Sequence, residues 1–111
     1  MADILIEIQG SDAVGATEEM LAIDGLSGDY EIEGEEEKEG VLVTIATIVG
    51  IVGGTLTIAE KLYQWYRAAR QAKPSGSSAR IEKAMIVHNG KRLLLKDATV
   101  EQIQHILDAQ I

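Results

Sequence analysis

Val41-Leu-Val-Thr-Ile-Ala-Thr-Ile-Val-Gly50-Ile-Val-Gly-Gly-Thr-Leu-Thr-Ile-Ala59 runs through the centre of a 111-residue chain without a single charge. Four glutamates precede it (Glu35, Glu36, Glu37, Glu39), and Lys61, Arg67, Arg70 and Lys73 come after it. Nineteen uncharged residues approach the roughly 20 that a helix needs to cross a bilayer about 30 Å thick. Leu62, Tyr63, Trp65, Tyr66 and Ala69 prolong the apolar pattern at helical spacing. A helix from about Val41 to about Gln71 would be roughly 45 Å long. Abundant Val, Ile and Thr leave a strand reading open. Two strands turning at Gly53-Gly54 are the alternative, because Gly-Gly is a hairpin signal. Length favours the helix, since strands usually span about five or six residues.

Outside this run the pattern is that of a small α+β domain. Ile4, Ile6 and Ile8 alternate with Leu5, Glu7 and Gln9, which predicts a strand near residues 3–9. A short helix over Ala13–Ile23 and a strand near 29–33 come next. Lys73–Ala79 (KPSGSSA) reads as a linker and holds the only proline. Strands near 80–88 and 91–96 flank Asn89-Gly90, a strong hairpin signal. Thr99 and Gln102 have capping-box spacing ahead of a helix over Val100–Gln110. The expected fold is therefore α+β: a small sheet in β-α-β, long helix, β-β-α order, with one long apolar central helix. Residues 1–39 form an acidic β-α-β half, 40–72 the long helix, 73–79 the linker, and 80–111 a hairpin plus helix, all in one integrated domain.

Charge divides the chain. Residues 1–39 hold thirteen acids against Lys38, or −12; residues 60–111 hold nine bases against five acids, or +4. The net charge of −8 argues against nucleic acid, whose binding rests on phosphate neutralisation. With no cysteine, disulfides and thiolate metal sites are excluded. The acidic cluster Glu31–Glu39 lacks the spacing of a calcium loop. His88 and His105 do not make a zinc site, and no nucleophile motif or phosphate loop is present. No cofactor, metal or catalytic residue is expected.

The chemistry that remains is packing. In a helix, Gly50 and Gly54 stand at GxxxG spacing, which lets two helices approach closely. Gly53 adds to this small-residue surface, and Thr44 and Thr47 would hydrogen-bond across it. Lys61, Tyr63, Trp65, Tyr66, Arg67 and Arg70 would form an aromatic and basic belt at a membrane interface. The positive-inside rule then puts the C-terminal half in the cytoplasm. The expected location is cytoplasmic, membrane-associated or in the inner membrane. A helix buried among copies of the chain is the competing reading.

The order of elements, the Gly/Ala/Thr-rich apolar segment running into LYQWYRAARQ, the hairpin MIVHNGKRLLL and the terminal helix opening on Asp-Ala-Thr carry a further signal. Across nearly the whole chain this layout resembles the effector-associated constant component family of bacterial conflict systems, specifically its first class. The resemblance implies a small non-enzymatic partner encoded beside an NTPase, a protease-like or another effector module. Such a partner would couple sensed invasion to an effector in antiviral defence or self-killing. The expected function is an oligomerising component that associates with or permeabilises membrane through its long helix. The alternative is a soluble adaptor or scaffold whose long helix is buried in protein.

Overall fold

The computed structural model describes residues 4–35, 42–70 and 81–108. The linker at 73–79, most of the acidic loop and residues 109–111 lie outside them. Five strands and three α-helices run in the order β1 (Ile4–Gly10), α1 (Ala13–Leu21), β2 (Leu26–Glu35), β3 (Leu42–Ile51), α2 (Thr55–Arg70), β4 (Lys83–His88), β5 (Lys91–Leu94) and α3 (Val100–Leu107). A short 3-10 turn, Leu95–Asp97, joins β5 to α3. The strands form one sheet in the order β2-β3-β1-β4-β5, every neighbouring pair antiparallel.

The long central helix does not form. Its first half is β3 and its second half begins α2, so the expected order of elements and the 45 Å rod are both overturned. Seven of the ten residues from Leu42 to Ile51 are β-branched, a composition suited to a pleated surface. Pairing decides the matter: β3 lies between β1 and β2, so its backbone groups are bonded along both edges. Gly53 and Gly54, at φ +95° and +97°, then take left-handed conformations that side chains resist. They end the strand and turn the chain into a helix, so the two-strand alternative fails as well. Among the described residues no helix is long and apolar enough to cross a membrane.

All three helices lie on one face of the sheet. Ile4, Ile6 and Ile8 of β1, Thr44, Ala46 and Ile48 of β3, and Ala84, Ile86 and His88 of β4 point into the core. α2 adds Ile58, Ala59, Leu62, Trp65, Tyr66 and Ala69, a stripe at helical spacing. Ile103, Ile106 and Leu107 of α3 close the other side. Each fully buried Ile or Leu contributes about 1.5–3 kcal/mol from removal of apolar surface from water.

Local chemistry sets the joints. Asn89 and Gly90 both have positive φ, at 52° and 78°, the conformation of a type I′ hairpin. Thr99 accepts from the Gln102 amide while the Gln102 side chain accepts from the Thr99 amide, completing the capping box. His88 is buried with Nδ1 2.7 Å from the Ile106 carbonyl oxygen. A carbonyl cannot donate, so Nδ1 carries the proton and ties the hairpin to the last turn of α3.

The glycines separate the strand from the abandoned helix. A Cβ at Gly28 would run into the Thr47 backbone oxygen, whereas at Gly50 it would meet only the Ser27 hydroxyl, at 2.9 Å. Gly28→Ala is expected to cost about 2–3 kcal/mol and Gly50→Ala under about 1 kcal/mol, as read by urea unfolding.

Candidate interaction surface

The residues expected to pack two helices together are dispersed by the fold. Thr44, Thr47 and Gly50 sit on β3, and Gly53 and Gly54 form the turn after it. Thr44 faces inward and is fully buried. Its hydroxyl lies 2.6 Å from that of Thr17, which donates to the Ala13 carbonyl oxygen at 2.6 Å. The Thr17 proton being used, Thr44 is the donor between the two. This bond pins α1 to the centre of the sheet. Thr47 points the opposite way, out of the core.

The residues expected at a membrane interface lie along α2, and the aromatic ones face protein. Trp65 and Tyr66 are only 9% and 6% exposed. The Trp65 indole donates to the Ala16 carbonyl oxygen at 2.9 Å, locking α2 against α1. The Tyr66 hydroxyl is enclosed, with no hydrogen-bond partner among the described residues. Tyr63 is half-buried beneath Arg67, whose guanidinium carbon stands 5.7 Å from the ring centroid. Arg70 lies over Tyr66 in the same way and donates to the Glu82 carbonyl oxygen at 2.8 Å. Lys61 reaches towards the Asp24 carbonyl oxygen. Arg67 and Arg70 in the last turn of α2 also match the negative end of the helix dipole.

The sheet face opposite the helices is the largest feature that sequence reasoning missed. Register places two complete rows across it. One runs Asp29, Thr47, Leu5, Val87, Arg92 from β2 to β5; the next runs Glu31, Ile45, Glu7, Met85, Leu94. A third, shorter row holds Val43, Gln9 and Lys83. The middle of this face is apolar, with Leu5, Val43, Ile45, Met85 and Val87 around one polar pair. In that pair the Gln9 side-chain amide donates to the Glu7 carboxylate at 2.9 Å. A solvated antiparallel face ordinarily carries polar residues at alternate positions; here β3 is apolar at both parities. That run of both parities, together with Leu5, Met85 and Val87 at odd positions, is the sequence signal that marks the face.

The two edges of the sheet carry opposite charge. β2 exposes Asp29, Glu31 and Glu33, while β4 and β5 carry Lys83, Lys91 and Arg92. On the helix side of β2, the Tyr30 hydroxyl donates to the Glu18 carboxylate at 2.8 Å. That bond holds the hydroxyl above the usual tyrosine range. Shallow recesses flank the helices, among them one of about 560 Å³ lined by Glu60, Tyr63, Gln64, Arg67, Ala68 and Val100. A second, of about 310 Å³, lies between β5 and α3 over Leu93 and Ile106, with Lys91, Arg92 and His105 at its rim. Another, of about 300 Å³, is lined by Tyr66, Arg67, Arg70 and Lys96. No three His, Asp or Glu side chains among the described residues are grouped to hold a metal ion.

The buried threonine pair gives an asymmetric test. Thr44→Val removes one hydrogen bond and leaves Thr17 bonded to Ala13, at a cost of about 1 kcal/mol. Thr17→Val strands the Thr44 hydroxyl in the core and is expected to cost about 2–3 kcal/mol. The double variant should lose less than the sum of the two, measured as a double-mutant cycle in urea. Compared with known proteins, the chain matches no family model, and no curated protein and no solved structure is significantly similar to it.

Proposed function

We propose that the protein is a non-enzymatic, self-associating adaptor, the partner-coupling component of a bacterial antiviral or conflict system. The observation that carries this reading is the open sheet face, where apolar residues surround a central Glu7–Gln9 pair and charges stand at the rims, and which none of the described helices covers. Exposed apolar patches rimmed by polar residues mark interaction surfaces or ligand grooves. The resemblance to the first class of effector-associated constant components supplies the biological setting, with an effector or sensor of the protease-like or NTPase kind as the expected neighbour.

The adaptor reading takes precedence over membrane permeabilisation, which would need a long apolar helix. Half of that segment is a strand hydrogen-bonded on both edges. Two of its three belt aromatics are core residues. Acidic composition and separate basic and acidic edges favour protein over nucleic acid as partner.

Flotation and sedimentation distinguish the two outputs. The full chain mixed with phosphatidylethanolamine–phosphatidylglycerol vesicles is expected to stay at the bottom of a density gradient and to release no entrapped dye. Sedimentation velocity over a hundredfold concentration range is expected to show reversible self-association. Dye release together with a monomeric protein at every concentration would overturn the proposal.

A further inference from the structure

We infer that the open sheet face is the docking surface for a second copy of the chain, in a two-fold dimer whose axis runs along the strands. This deepens the self-association reading above and rests on it. The charge order across the sheet selects the geometry. Asp29 and Glu31 stand on the β2 edge of the open face, and Arg92 stands on the β5 edge. A two-fold axis between two facing sheets and parallel to the strands lays β2 of each copy over β5 of the other. An axis across the strands would instead lay β2 on β2 and β5 on β5, opposing like charges. Like-charge juxtaposition at an interface is strongly unfavourable, so the sequence of charges admits the first arrangement and rejects the second.

The rows then meet residue against residue, most of them in complementary pairs. In the first row, Leu5 of β1 lies on the axis against Leu5 of the second copy. Thr47 faces Val87, and Asp29 faces Arg92, each pair occurring twice. In the second row Ile45 faces Met85 and Glu31 faces Leu94. In the third, Val43 faces the aliphatic stem of Lys83. The usual offset of about 30° between packed sheets moves Arg92 along β2, where it finds either Asp29 or Glu31. Two contacts oppose the arrangement: Glu31 faces the apolar Leu94, and Glu7 meets its own copy on the axis, its hydrogen-bond partner among the described residues being Gln9. Buried carboxylates in contact are costly unless paired.

Area sets the strength. Five strands about 4.8 Å apart and some six residues long make a face of roughly 24 by 20 Å. The pair would bury roughly 1,000 Å², the lower limit for a specific interface. The dimer is therefore weak, reversible and concentration-dependent, and sensitive to single charges at its rim.

The test uses the full chain, sedimentation and chemical cross-linking. Asp29→Arg and Arg92→Asp, taken singly, are each expected to weaken the dimer by about tenfold. Mixing the two variants, or combining both changes in one chain, restores it. Glu7→Gln tightens the dimer, since the new amide side chain still accepts from Gln9 and carries no charge to the axis. The chain has no cysteine, so Leu5→Cys gives a clean probe. A short bismaleimide should couple it to its own copy, while Ile32→Cys, exposed on the helix side of β2, stays uncoupled. Unchanged melting curves show that each variant is folded, and the restored double variant controls for any that is not. Self-association that ignores both charge reversals and leaves Leu5→Cys uncoupled would overturn this dimer while leaving an oligomeric adaptor intact. Open-ended assemblies growing through the strand edges would overturn it equally. A monomer at every concentration would remove both proposals.

Discussion

β3 is hydrogen-bonded along both edges, to β1 on one side and β2 on the other, and the rest of the fold depends on that double pairing. A buried backbone amide or carbonyl must find a partner. For Leu42–Ile51 a helix would satisfy the groups within the segment, and a central strand satisfies them between segments. With β3 paired between β2 and β1, β2 becomes an edge, β1 takes the middle of the sheet, and α1 is fixed over the junction through Thr17 and Thr44. The turn at Gly53-Gly54 then sends α2 back across the same face, where Trp65 bonds to α1.

That arrangement leaves the sheet two-faced in an unusual sense. The inner face holds a dense core of Ile, Leu, Ala and Met beneath three helices. The outer face has no covering element among the described residues, yet β1, β3 and β4 present Leu5, Val43, Ile45, Met85 and Val87 to it around the Glu7–Gln9 pair. With helices on one side only, one partner layer is missing for a segment that is apolar at both parities. Domains bury apolar faces by stacking layers. A second molecule is the economical source.

Polarisation of charge along the chain becomes polarisation across the sheet. The acidic N-terminal third supplies β2 at one edge, and the basic C-terminal third supplies β4 and β5 at the other. β1, drawn from the N-terminal end, lies between β3 and β4 because strand order differs from chain order. The net charge alone would suggest a uniformly repulsive molecule; the topology turns it into two separate edges of opposite sign.

Features governed by neighbours in sequence were legible. The alternation of β1, the Asn89-Gly90 turn and the Thr99–Gln102 capping box each depend on a few adjacent residues, and each forms where the sequence places it. The break at Gly53-Gly54 was visible as a turn, although it opens a helix and not a second strand. Val41–Ala59 was beyond that reach because hydropathy states what a segment avoids, not what it packs against. Lipid, a helical bundle and two flanking strands all satisfy the same apolar run. The burial of Trp65 and Tyr66 was hidden for the same reason: an aromatic cluster beside basic residues suits a membrane interface and a core helix end equally. By itself the sequence determined the local turns, caps and periodicities, the absence of cysteine chemistry and the separation of charge. Only the tertiary structure decided that the run is half strand and half helix, and that the described helices all lie on one face of the sheet, because strand pairing and face assignment are settled by contacts between residues far apart in the chain.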